Sequence, residues 1–147
     1  MPTIFNADDL AGLLRRAESL RPDSPRQWGK MDLAQMLAHM NVALEAPLGI
    51  VKLPDESNWF LRTIVKWIVL NQKPFSRNAP TSRNYKMVDA KEFELEKQKF
   101  IGLLKSASTN GLAGTWQPHV GFGPLTPEEW GRLLWKHADH HLRQFGG

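Results

Sequence analysis

Three of the chain's five histidines, His137, His140 and His141, fall inside one short stretch, WKHADHHLRQF. His137 and His141 are four apart, the spacing that stacks two side chains on one helical face, one turn from each other. On a wheel of about 100° per residue, Trp130, Leu133, Leu134 and Gln144 share that face. His140 lies to one side, and Asp139 and Arg143 point away. The pair therefore faces an apolar interior. Buried imidazoles need partners for both ring nitrogens, because leaving them unpaired is costly. Hydrogen bonds to protein groups are one solution. Chelation of a metal ion by neutral nitrogens is the other, and H-x-x-x-H spacing alone does not choose between them.

His39, in LAQMLAHMNVALEA, is the one further histidine placed on a helix. Gln35, Met36, Ala43 and Ala46 are its wheel neighbours, and the small alanines leave room for a second helix or a substrate. Added to the pair, it makes three nitrogens with a fourth position open, as catalytic rather than structural metal sites have. His119, in QPHVGFGP, lies in a loop, where chemistry is often carried. A substrate contact, a general base and a merely exposed side chain are its three readings. His140 is a partner to a ligand, a rim residue or a structural side chain. These two are the candidates for a catalytic role. Gln144 is placed to orient His141 or to meet a substrate. Asp32 stands one face-repeat before His39, as a helix cap or as an outer partner of the site.

Five helical segments can carry these residues, and no stretch alternates as a strand does. Asn6 caps a first helix that reaches about Leu20, with Asp8 and Asp9 in its first turn. A second runs from about Asp32 to Glu45 and is closed by Pro47 and Gly49. A third follows Ser57 through WFLRTIVKWIVL, which reads as a largely buried core or dimer helix. It is too short to span a bilayer, although its Arg62 and Lys66 share a face that suits a membrane surface. A fourth carries a capping-box pattern, Asp89 with Glu92, and extends to about Ser108. The last starts at Thr126, with Pro127 in the first helical position and Glu129 completing a capping box, and ends before Gly146. Two long connections remain, 71–88 and 110–125. Loops of this length in a compact domain are often functional. The reading is an all-α bundle and a single domain over 1–147.

Composition narrows the chemistry. The 147 residues contain no cysteine, which excludes disulfides, thiolate-ligated zinc and a protein thiol nucleophile. The start, MPTIFNADDL, lacks the layout of a signal peptide, so the expected location is cytoplasmic. Net charge is +4, but its distribution says more. Between Glu56 and Asp89 there is no acid, yet Arg62, Lys66, Lys73, Arg77, Arg83 and Lys86 all fall there. Such a sector attracts anions. No nucleic-acid motif accompanies it, so a solvated face or a small anionic substrate is the better reading than nucleic acid.

WGKMDLAQMLAHM (28–40) and EEWGRLLWKHADHHLRQF at the C-terminus, with FGPLTPEEW (122–130) before it, resemble the DinB-like superfamily of metal-binding four-helix bundles. The resemblance is to a branch whose function is not established, and it spans nearly the whole chain. It implies a four-helix bundle with an additional short helix and two long loops. It also implies one metal ligand from the second helix and two from the last, which here are His39, His137 and His141. A divalent ion, commonly zinc or nickel, and a homodimer come with it. So do two chemistries: metal-dependent hydrolysis, or transfer of a low-molecular-weight thiol onto an electrophile. With no cysteine in the chain, the thiol must be a cosubstrate, and Arg77 and Arg83 are the candidates to hold its carboxylates. A non-catalytic bundle, with a structural metal or acting as a binding module, is the alternative, and a metal-free hydrogen-bonded core is a third reading.

Overall fold

Asn6, Asp32 and Thr126 each start a helix, and each does so by the same device. A short side-chain oxygen accepts amide protons that the first helical turn leaves unpaired. A computed structural model of the chain describes residues 1–71, 74–77, 79 and 83–147, with Asn84 described by its backbone alone. Lys73 lies outside the described residues. The helices are α1 (Ala7–Ser19), α2 (Leu33–Glu45), α3 (Lys66–Leu70), α4 (Phe93–Asn110) and α5 (Pro127–Gln144). A π-helical turn, Leu61–Val65, runs directly into α3, and a 3-10 turn covers Arg83–Tyr85. Among the described residues there is no strand, only an isolated antiparallel bridge between His119 and Gly123.

The four longer helices share one core. α2 lies along α4, α1 packs on both α4 and α5, and α2 also touches α5. Met36, Leu37 and Leu44 of α2 meet Phe100 and Leu104 of α4 and Leu134 of α5 there, all but completely buried. Each such side chain contributes about 1.5–3 kcal/mol. α3 rests against α5.

Buried or half-buried cations then fix helix ends. The Lys97 ammonium donates to the carbonyls of Glu18 and Leu20, at 2.7 and 3.0 Å, and closes α1. Lys136 does the same for α3, donating to the carbonyls of Val69 and Asn71 at 2.6 and 2.7 Å. Both satisfy carbonyls that a helix C-terminus leaves free. Arg16 binds the Asp139 carboxylate at 2.7 Å and ties α1 to α5.

One local expectation fails here. α4 begins at Phe93 with Glu92 as its N-cap, and no side chain caps it, so Asp89 and Glu92 form no capping box. The Asp89 carbonyl instead accepts a hydrogen bond from Gln35 on α2, at 3.0 Å. Of the two readings of the run from Trp59 to Leu70, a core helix and a dimer helix, the single chain departs from the first. Trp59 is 72% exposed, Trp67 69% and Phe60 56%. Only one flank, with Leu61, Val65 and Val69, turns inward, and it walls a cavity. No helix among the described residues is long and apolar enough to cross a membrane.

Candidate metal centre

α2 and α5 bring His39, His137 and His141 to one point. The His39 Nε2 lies 3.0 Å from the His137 Nε2, and the His141 Nε2 lies 3.1 Å from the same atom. Ligand atoms of all three fall within 4.8 Å of one another. His39 and His141 are buried, and His137 keeps some accessible surface.

The tautomers follow from the outer partners. The His39 Nδ1 sits 2.8 Å from the carbonyl oxygen of Tyr85, which can only accept, so Nδ1 carries the proton. Gln144 is oriented in the same way, since its Nε2 donates to the Trp28 carbonyl at 2.8 Å. That leaves its Oε1 to accept from the His141 Nδ1, also at 2.8 Å. Gly29 makes the approach of Gln144 feasible. It holds φ +86°, and a Cβ there would collide with the Gln144 amide. In their neutral forms His39 and His141 therefore both aim bare Nε2 lone pairs at the His137 Nε2. One proton at most stands among three inward nitrogens. Ordinary hydrogen bonding leaves a lone pair facing a lone pair, whereas a cation satisfies all three.

Two of the three separations, 3.0 and 3.1 Å, are near the spacing of about 3.3 Å that nitrogens at about 2.0–2.1 Å from a tetrahedral zinc take, and the third must shorten for all three to bind one ion. Nδ1–H bonds to a carbonyl and an amide oxygen are the outer contacts that usually orient ligating histidines. Among the described residues no fourth histidine or carboxylate joins the group. The triad opens on a cavity of about 970 Å³, lined by residues of α2, α3 and α5 and of both long connections.

Burial holds the triad neutral. Desolvation, then the neighbouring rings of His141 and His39, pushes the His137 pKa well below its usual 6.5. Burial, then His39, lowers His141 to about 3, and burial lowers His39. His119 is driven by burial to about 4. The unfolded chain protonates all four near 6.5, so their cost to folding is absent above that pH and grows as pH falls below it. At pH 5.5, His119 and His141 should each remove about 1.4 kcal/mol of stability, with His39 and His137 acting in the same sense. Urea unfolding of the metal-free chain at pH 7.5 and 5.5 measures this, and equal stabilities would contradict the burial of these rings.

The other sequence candidates separate. His140 lines the cavity without joining the triad, its ring 5.3 Å from Trp28, 5.7 Å from Phe75 and 5.0 Å from His141. His119 also lines the cavity, in the tight turn closed by the bridge to Gly123. Asp32 caps α2 and shares a capping box with Gln35, away from the cavity lining. The Arg77 guanidinium sits 4.4 Å over the Trp28 ring. Arg83 is exposed and does not line the cavity. Tyr85 and Trp28 were not expected at the site. Both act through backbone carbonyls, for which residue type carries no signal.

One family model matches the chain, over residues 4–146, and its description is protein of unknown function (DUF1569). No curated protein and no solved structure matches.

Proposed function

The chain belongs to that DUF1569 family, whose description names no reaction, and we propose from the site itself that it is a metal-dependent enzyme. His39, His137 and His141 hold one divalent ion, zinc or nickel, through Nε2. The observation that carries this reading is the convergence of two fixed Nδ1–H histidines on a third, beneath an open cavity. When bound, such an ion supplies Lewis acidity to a water, a thiol or an oxygen that reaches its open position. The chain does the rest. The Tyr85 carbonyl and Gln144 keep the ligand rings turned inward, and Val69, Phe75 and Leu133 give the cavity an apolar wall.

Hydrolysis is the first reading of the reaction. Transfer of a low-molecular-weight thiol is the second, supported by cations near the opening: Lys30 and Lys86 on the lining and Arg77 over Trp28. The DinB-like bundle belongs to the same proposal. Four long helices about one core, with one candidate ligand from α2 and two from α5, support it. The exposed face of Trp59, Phe60 and Trp67 is proposed as the homodimer surface, so light scattering should give twice the chain mass for the native chain and the single mass for Trp67→Glu. The enzyme proposal is tested by assaying zinc-loaded, nickel-loaded and stripped protein for ester hydrolysis and for thiol addition to an electrophile. Turnover that follows metal loading is expected. An occupied site with neither activity would favour the non-catalytic alternative.

A further inference from the structure

The two catalytic candidates differ in one respect that geometry decides. The His119 Nδ1 accepts two backbone hydrogen bonds, from the amides of Gly121 and Phe122, both at 3.0 Å. Backbone amides only donate, so Nδ1 is a bare acceptor and the neutral ring carries its proton on Nε2. The turn enforces this. Backbone bonds run both ways between His119 and Gly123, at 2.8 and 3.0 Å, and Gly123 takes a φ of +68° that suits glycine. The ring is clamped between Phe122, stacked at 4.3 Å, and Trp130, at 5.6 Å. Among the described residues no acceptor meets Nε2, and that nitrogen is not among the sealed polar atoms of the interior. The ring lines the cavity that the triad opens on.

The cavity itself has a one-sided chemistry. Its inner wall is Trp130, Leu133 and Leu134, all buried, with Val69, Phe75 and Phe122 beside them. Among the described residues the charged side chains on its lining, apart from histidines, are Lys30, Glu56 and Lys86, and all three are exposed. The described charge thus stands at the mouth, and a substrate with several charges would bury some of them against hydrocarbon.

We infer that the cavity takes a predominantly apolar molecule with a carbonyl-type oxygen, and that the Nε2–H of His119 donates to that oxygen. The inference rests on the proposed metal site in one respect, that the anchored oxygen belongs to the group the ion acts on. His119 is then a fixed donor and not a general base. Its one acceptor nitrogen is already used twice, and its low basicity keeps Nε2 protonated without making the ring a cation. A neutral imidazole held as a donor toward a carbonyl is an established catalytic device.

The experiment uses acetophenone as the probe and ethylbenzene, nearly the same shape without the acceptor, as its control. Long-range ¹H–¹⁵N spectra of the metal-loaded chain should show His119 as the Nε2–H tautomer between pH 5 and 8, in line with a pKa of about 4. Acetophenone should shift the Nε2 resonance and ethylbenzene should not. His119→Asn keeps an acceptor for the two amides and deletes the Nε2 donor. It should weaken acetophenone binding about tenfold and leave ethylbenzene unchanged, and His119→Gln should restore part of the difference. A Nδ1–H or cationic His119, or equal responses to both probes, overturns the inference. Metal content of the same samples separates the two readings. A loaded site with an unresponsive His119 overturns this inference alone, and a responsive His119 in a chain that takes up no metal supports it while overturning the metal reading.

Discussion

Replacing His137 with alanine should strip the chain of its divalent ion while leaving the metal-free fold as stable as before, to within about 1 kcal/mol. His137 is the hub of the triad, since its Nε2 is the atom that both other Nε2 atoms approach. Losing an outer partner of a ligand costs 10–100-fold in metal affinity, so losing a ligand should cost more than about 100-fold. The fold is spared for a separate reason. Without the ion, His137 stabilises little, because its ring faces two lone pairs and satisfies at most one of them. Alanine is also the better helix former. Metal analysis and urea unfolding of the stripped variant check the two halves. Retained metal would show that the triad is not the site. A collapse of the stripped variant would show that the three rings already form a satisfied hydrogen-bonded core, which is the metal-free alternative. In the parent chain, chelation should lower stability by about 4 kcal/mol when free metal had stood at a thousand times its Kd.

Trp130→Ala should give the largest loss of stability without loss of metal. Trp130 is 2% exposed, with Trp116 stacked on it at 6.0 Å and His119 at 5.6 Å. Deleting such a side chain costs about 3–5 kcal/mol. One effect opposes this. The Trp130 Nε1 is buried with no acceptor among the described residues, so its removal also relieves an unpaired donor. The lower end, about 3 kcal/mol, is therefore expected, or a fall of roughly 10 °C in Tm for a chain of this size. Metal should stay, because the outer contacts of the triad run to Tyr85, Gln144 and Trp28 and none to Trp130. Calorimetry with parallel metal analysis reads both. A variant that loses the ion would mean that the aromatic wall, and not the outer hydrogen bonds, positions the ligands.

What the sequence could and could not convey follows from the kind of interaction involved. Local rules were legible. Thr126 and Glu129 form their capping box, Asn6 and Asp32 cap their helices, and Gly146 follows the end of α5 with φ +78°. Face periodicity and an i,i+4 spacing put each histidine on its own helix face, but that His39 meets the α5 pair was what the family resemblance implied. The Asp89–Glu92 pattern misled because a capping box describes a preference of an isolated turn. Here Gln35, from another helix, takes up the Asp89 carbonyl. The apolar run before Asn71 carried two readings, core or dimer, that hydrophobicity alone does not separate. Hydrophobicity shows that surface is worth burying, but one chain covers only the flank that walls the cavity. Nothing in the letters marks Tyr85 and Trp28 as partners of the site, since any residue carries a carbonyl. The fixed tautomer of His119 is equally silent, because it depends on a turn that brings two backbone amides to one nitrogen.

The most direct test of the central claim is the metal content of the untagged chain, by mass spectrometry, as isolated and after exposure to zinc or nickel. One tightly held divalent ion per chain is expected. A chain that contains no metal and takes up neither ion would contradict it, and His39, His137 and His141 would then be a buried polar cluster and not a metal centre.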